Sequence, residues 1–211
     1  MAAFAIALGM GYLSGSLPWG LWLGRWFRGI DVRQHGSKNL GATNVYRVLG
    51  PRLGLATLAL DILKGAFPVW MTSALPAPEL AGRARELLLA AAAAAAVAGH
   101  VWTCFAGFRG GKGVATTVGV LLALAPVAFG IFVAVFLATV AITRYVSLGS
   151  TLGALAFSIS LAWLAPSGPR SPLFWLGLGL GLVVIVRHRE NLRRLLRGEE
   201  RRFSWKGGGG S

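Results

Sequence analysis

VATTVGVLLALAPVAFGIFVAVFLATVAI, residues 114–142, decides how this chain is built. The run is too long for one ordinary membrane-crossing helix of ~20 residues, and Pro126 stands near its middle. Proline lacks an amide hydrogen and collides with the preceding turn, so the run reads either as one kinked helix or as two short spans turning near Ala125–Pro126. Charge placement separates the two. Five further apolar runs lie at about residues 3–23, 53–75, 86–105, 148–165 and 173–186. With two short spans, the segments holding Arg25 to Arg52, Arg109 to Lys112, Arg144, and Arg187 to Lys206 share one side. Only Arg83, Arg85 and Arg170 then remain opposite. Basic loops stay in the cytoplasm, so the split is preferred: seven spans, N-terminus outside, C-terminus and the basic loops inside.

Composition agrees with a membrane protein. The 211 residues are 55% hydrophobic and 13% charged, with a mean hydropathy of +0.64. A soluble domain carries roughly a quarter charged residues. The net charge of +14 has no soluble domain on which to form a nucleic-acid face, so it reads as cytoplasmic anchoring charge and no nucleic-acid partner is expected. Cys104 is the only cysteine, which excludes an intramolecular disulfide and cysteine zinc sites. The first run has neither a basic leader nor a small-residue cleavage site and reads as a retained span. Residues 1–205 form one polytopic domain, and KGGGGS, residues 206–211, reads as a linker-like tail. No repeat is evident, and the alanines from Ala90 to Ala96 are a helix-favouring, close-packing stretch.

Four polar segments fall on the basic side. In GFRGGKGVATT, residues 107–117, the glycines Gly110, Gly111 and Gly113 free backbone N–H groups beside Arg109 and Lys112, and a helix begins at Val114. That combination suits a phosphate. It is not a P-loop, because Gly113 follows Lys112 and no strand precedes it. The plainer alternative is that the glycines allow close helix packing. In HGSKNLGATNVYR, residues 35–47, Ser37, Asn39, Thr43 and Asn44 suit a tight loop pointing polar groups inward, ending in a helical turn with Arg47. The alternative is an ordinary polar connection, although buried polar groups need partners. In RYVSLGS, residues 144–150, Ser147 and Ser150 lie one turn apart on one face, or merely bond the preceding turn. In RHRENLRR, residues 187–194, His188 and Asn191 are helix neighbours among arginines that anchor at the interface. Asp61 and Lys64, three residues apart, are expected to form an internal ion pair.

Absences discriminate as well. The seven acids are too scattered for a two-metal cluster. No histidine has an aspartate five residues on, which removes the arrangement of soluble-type glycerolipid acyltransferases. A G-x-S-x-G elbow is missing too.

With these residues in place the chain resembles the bacterial membrane acyl-phosphate:glycerol-3-phosphate acyltransferases, the PlsY family. SGSLPWG (residues 14–20), GSKNLGATNVYR, DILKG, GHVWTCFAGFRGGKGVAT, RYVSLGS and HREN look like that family's segments and run in the same order along nearly the whole chain. Two positions depart: Lys38 stands where the family loop more often has glycine, and Arg109 where lysine is common. The resemblance implies an all-α integral membrane fold of seven helices around a cytoplasm-facing polar pocket. It implies transfer of a fatty acyl group from acyl phosphate to the 1-hydroxyl of glycerol 3-phosphate, giving lysophosphatidic acid and phosphate. No coenzyme A, metal or other cofactor is implied, and the chain is expected to act as a monomer in the bacterial inner membrane. Ser37, Arg47, Lys112, His188 and Asn191 are then the expected catalytic residues. Asn39, Thr43, Asn44, Arg109, Gly110, Gly111, Gly113, Ser147 and Ser150 are expected to bind substrate. A transporter or channel for a phosphorylated anion shares the cationic pocket and the spans. It predicts internal pseudo-symmetry and broken helices at the midplane, whereas these motifs gather at one face.

Overall fold

The structure, a computed structural model, describes residues 1–204; the expected domain boundary at 205 and the tail beyond it lie outside the described residues. Among the described residues there is no strand, and the α-helices are α1 (Ala2–Ser16), α2 (Trp19–Arg28), α3 (Ala42–Leu49), α4 (Pro51–Ser73), α5 (Arg83–Val101), α6 (Val114–Leu124), α7 (Pro126–Thr143), α8 (Val146–Leu164), α9 (Pro172–Arg187) and α10 (Arg189–Leu196). The main pairings are α1 on α5, α4 on α6, α7 on α8 and α8 on α9. The largest core gathers Val97, Val120, Leu121, Phe132, Phe157, Leu161, Leu180 and Val184. Glycine lets α4 and α6 meet backbone to backbone: a Cβ on Gly119 would lie 1.9 Å from the Ile62 carbonyl oxygen, and one on Gly65 2.2 Å from that of Thr116. Such small-residue contacts drive helix association where lipid removes the hydrophobic incentive.

The long run does break at the proline. Residue 125 leaves helical geometry (φ −146°, ψ 73°) and α7 starts on Pro126. Leu121, Leu124 and Ala125 border an apolar crevice shared with Leu161, Leu173 and Leu176, at the end of the bundle where α9 begins. At that same end Ser171 Oγ donates to Glu86 Oε2 at 2.6 Å, and Arg85 donates to the Ser73 carbonyl at 2.7 Å. The glycine loop and Arg144 lie at the other end, so α6 and α7 run away from and back to one face.

Two expectations, the span count and the continuity of the first apolar run, meet the structure differently. First, α4, the segment from Arg83 through Ala106 (α5 and the short turn after it), α7 and α8 are long and apolar enough to cross a bilayer, and α9 with α10 makes a fifth if their 53° bend is one span. By length and hydropathy alone four or five helices qualify; the expected seven also count the first apolar run and α6, which this criterion leaves out. The 15 residues of α1 and 11 of α6 are shorter than the ~20 a hydrocarbon core requires.

Second, the first apolar run is not one helix, because α1 ends at Ser16 and α2 begins at Trp19 around Pro18. The carbonyls this releases are met by side chains: Lys64 Nζ donates to the Leu17 oxygen at 2.7 Å, and Thr103 Oγ1 donates to the Ser16 oxygen. Buried carbonyls released by a helix break need such partners. Lys64 is also 2.7 Å from Asp61 Oδ1, with both side chains 3% exposed, so the expected ion pair is present.

Candidate active site

The cationic end is organised by the turn out of α9. His188 joins α9 to α10, and the bend there carries Asn191 toward the start of α6. Lys112 Nζ donates to Asn191 Oδ1. Asn191 Nδ2 donates to Glu200 Oε1 at 2.7 Å, and Ser147 Oγ donates to the same oxygen at 2.8 Å. Arg194 Nε donates to Glu200 Oε2 at 3.0 Å. Arg47 on α3 reaches the same segment, donating to the Arg201 carbonyl at 3.4 Å. The split at Pro126 is what lets Lys112 and Ser147, on either side of the α6–α7 pair, meet in one network.

Charge here is unusually responsive. Burial drives the Lys112 ammonium down to about 8; Glu200 opposes this, while Arg194, Arg47 and Arg187 push the same way as burial. Burial also lowers Arg47, partly countered by Glu200. For Glu200 burial works upward, but the bonds from Asn191, Ser147 and Arg194 outweigh it and hold the carboxyl below its ordinary value. His188 is 3% exposed, and burial with the nearby Lys112 cation takes its ring to about 4. Its Nδ1 lies 2.8 Å from the Val184 carbonyl. A carbonyl only accepts, so the proton sits on Nδ1 and Nε2 presents a lone pair.

In the glycine loop, two of the amides expected to cradle a phosphate are bonded within the protein. Gly110 and Gly111 spend their N–H groups on the Val101 and His100 carbonyls, at 3.1 Å each. A Cβ on Gly110 would lie 1.9 Å from the His100 oxygen, and one on Gly111 2.2 Å from His100 Nε2. These two glycines therefore let the loop close onto the end of α5, which is the packing alternative. Arg187 donates to the Gly111 carbonyl at 2.9 Å and clamps the loop from the other side. Gly113, at φ +85°, turns the chain into α6. Arg109 is exposed beside the loop. The loop's contribution to the cluster is thus Lys112.

In residues 35–47 the amide of Asn44 is spent on the loop itself. Its Oδ1 accepts from Ser37 N at 2.7 Å, and its Nδ2 donates to the carbonyls of Val32, His35 and Asn39 at 2.9–3.2 Å. At 2% exposure Asn44 is the loop's internal support and has no free donor for a ligand. Asn39 Oδ1 likewise accepts from Gly41 N at 2.8 Å. Ser37 is exposed and Thr43 half-buried. Lys38 adopts φ +58°, the left-handed region in which glycine is at ease. Ser150 Oγ donates to the Val146 carbonyl at 2.8 Å, the back-bonding alternative, whereas Ser147 faces the cluster. Arg47, Lys112, Ser147, His188 and Asn191 are the expected residues that the fold brings together.

Sequence reasoning missed Glu200, Arg194, Arg187 and His100. His100 is 6% exposed, with Nδ1 3.8 Å from Asp61 Oδ1, beneath Gly111. The signal for Glu200 was arithmetic: with seven acids against 21 basic residues, a buried acid is expected wherever cations crowd.

A scaffold that is all-helical among the described residues, with several apolar helices and a cluster of partly desolvated cations at one end, is that of a multi-pass membrane protein with a cationic site. Comparison with known proteins places it further. A family model described as glycerol-3-phosphate acyltransferase matches residues 5–198. A glycerol-3-phosphate acyltransferase of Desulforudis audaxviator is 47% identical over 208 residues, covering 98% of this chain and all of that protein. One of Geobacter sulfurreducens is 46% identical over 199 residues, covering 94% of this chain and 96% of that protein. The crystal structure of PlsY, an integral membrane glycerol 3-phosphate acyltransferase, in its glycerol 3-phosphate form superposes with a TM-score of 0.85 at 34% identity, covering 97% of this chain and 96% of that one. The chain belongs to the glycerol-3-phosphate acyltransferase family.

Proposed function

We propose that this protein transfers a fatty acyl group from acyl phosphate to the 1-hydroxyl of glycerol 3-phosphate, releasing lysophosphatidic acid and phosphate. It does so as a monomer at the cytoplasmic face of a bacterial inner membrane. Membership of the family supports the acceptor and the acyl transfer, as does the lysophosphatidic acid form of PlsY, which superposes with a TM-score of 0.83. The single observation that carries the acyl-phosphate donor is the concentration of cations: Arg47, Lys112 and Arg194 surround one network, and both substrates of this reaction bring a phosphate. Arginine binds phosphate through a planar fork and lysine as a point charge.

The hydroxyl oxygen of glycerol 3-phosphate attacks the acyl carbon, the bond from that carbon to the bridging phosphate oxygen breaks, and inorganic phosphate leaves. The hydroxyl proton goes to the departing phosphate, whose pKa near ~6 suits it as the acceptor at neutral pH. His188 is neutral across that range and offers Nε2, so it accepts a hydrogen bond from the hydroxyl and aims it. Lys112 and Arg47 hold phosphate charge in a partly desolvated setting, where such contacts are stronger than in water. Ser37, exposed on the loop of residues 35–47, is available to a donor phosphate lying across that loop. The acyl chain lies among the apolar helices and arrives from the cytoplasmic leaflet.

The decisive experiment incubates purified protein with acyl phosphate and labelled glycerol 3-phosphate, with coenzyme A rigorously absent. Labelled lysophosphatidic acid is expected. Acyl coenzyme A in its place is expected to give no more product than a control without donor. Equal turnover with the thioester would overturn the donor reading.

A further inference from the structure

Among the seven acids of the chain, Glu200 alone is drawn into the cationic cluster among the described residues. Its side chain is 6% exposed, while that of Glu190 on α10 is 58% exposed. Three donors from two elements converge on it: Ser147 from α8, and Asn191 and Arg194 from α10. Those bonds also set the orientation of an amide. With Nδ2 of Asn191 facing the carboxylate, Oδ1 faces Lys112; the flipped amide would present a donor to an ammonium group.

The segment bearing Glu200 is tied down along its length. Glu199 N donates to the Arg194 carbonyl at 2.8 Å, and Phe203 N donates to the Arg144 carbonyl at 2.7 Å. The Phe203 ring lies 5.2 Å from that of Tyr46, and Arg202 Nε donates to the Tyr145 hydroxyl at 3.3 Å. Residues 197–203 thus strap the ends of α3, α7 and α10 together across the cluster. A carboxylate held this way acts on its neighbours.

We propose that Glu200 is a positioning residue for the transfer reaction, holding Asn191, Ser147 and Arg194 in the arrangement that presents a charged Lys112 to the phosphate of glycerol 3-phosphate. This rests on the acyl-transfer reading above. Glu200 acts through Asn191 and through charge. The groups acting on Lys112 are Glu200, Arg194, Arg47 and Arg187, with the neutral ring of His188 close by, so Glu200 is the one anion among the described charges there. Remove it, and three guanidinium groups face the ammonium without compensation. Lys112 then loses its proton at lower pH, and the amide of Asn191 loses its fixed sense.

The test measures kcat and KM for glycerol 3-phosphate between pH 6 and 10 for wild type, Glu200→Gln and Glu200→Asp, with melting temperatures in detergent. Glu200→Gln removes the charge at nearly constant shape. It is expected to raise KM roughly ten- to a hundredfold, as loss of one charge-assisted contact does, with kcat changed much less. Its alkaline fall in kcat/KM is expected at lower pH than in wild type. Glu200→Asp keeps the charge but shortens the reach, so KM rises while the alkaline fall stays in place, a separation that a purely structural role does not produce. If Gln fails to fold, the Asp variant decides: a wild-type KM overturns the proposal. A lowered KM in Gln would mean that the carboxylate merely occupies the substrate's place, and a stationary alkaline fall would remove the electrostatic argument; either overturns it. Thermal stabilisation by glycerol 3-phosphate alone, compared between wild type and Gln, reads the Glu200 effect independently of the donor. Wild type that binds glycerol 3-phosphate but does not turn over acyl phosphate therefore sinks the donor reading and leaves this one decided by binding.

Discussion

Lys112 Nζ donates to Asn191 Oδ1, joining the first residues before α6 to the helix that follows the last apolar segment. Seventy-nine residues separate the two, and the contact sets the depth at which the ammonium sits. Its pKa is brought down from 10.5 to about 8, chiefly by burial, so the charged form holds below about 8 and is lost as pH rises through it. Binding of a dianionic phosphate needs the charged form. We expect kcat/KM for glycerol 3-phosphate to fall above about pH 8, and Lys112→Met to lose roughly ten- to a hundredfold at pH 7 with that fall abolished. A rate profile measured from pH 6 to 10 checks both.

His188 gives the opposite expectation on the acid side. With its ring taken down to about 4, it is neutral throughout pH 5–9, so no change of rate in that window belongs to it. The acid limb of kcat is expected to survive in His188→Ala and His188→Gln, with Gln retaining more activity than Ala because it still offers a hydrogen-bonding group. A flat profile in both variants would make His188 an obligatory base, worth ~10²–10⁴-fold.

Sidedness is open to chemical labelling. In a Cys104→Ala background, cysteines at Ser37, Arg109, Arg144 and Arg189, all exposed, are expected to react with an impermeant reagent only from the cytoplasmic side. Cysteines at Pro78 and Ser167, also exposed, are expected to react only from outside. Reaction of Arg109 and Arg144 from opposite sides would contradict the return of the chain at Pro126.

Lys38 offers a backbone test. Its φ of +58° costs a side chain about 1–2 kcal/mol, an expense glycine avoids, although glycine is about 0.5–1 kcal/mol more costly to order. Lys38→Gly is therefore expected to change stability by less than ~1 kcal/mol and to keep activity. A β-branched Lys38→Val, which tolerates that region worst, is expected to destabilise the loop and raise KM. Melting temperature and steady-state kinetics of the two variants separate these outcomes.

How much of this was legible in the sequence depended on distance along the chain. The break at Pro126 and the pair Asp61–Lys64 rest on local chemistry, a missing amide hydrogen and an i,i+3 spacing, and both are present. The break at Pro18 rests on the same chemistry, but the surrounding apolar residues from 3 to 23 outweighed it in the reading of a single span. The glycine loop was ambiguous because the same glycines serve an exposed phosphate cradle and a tight packing contact equally well in one dimension. Only the position of His100, ten residues back and directly beneath, decides between them. Asn44 and Asn191 look alike as sequence, yet one spends its amide on its own loop and the other bridges Lys112 to Glu200. Glu200 was out of reach because its three partners come from parts of the chain that meet only after folding.

The interruption at Pro18 makes three distant residues thermodynamically inseparable. The Leu17 and Ser16 oxygens are held by Lys64 and Thr103, whereas with an alanine at position 18 a continuous helix would offer them the amides of Leu21 and Gly20 in competition. Substitutions at Pro18, Lys64 and Thr103 are then non-additive, and a double substitution can cost less than the sum of its parts. Polar bonds thus tie the break after α1 to α4 through Lys64 and to the segment that follows α5 through Thr103. Sliding α1 along its neighbours would break both bonds at once, so the register between these helices is set at the proline.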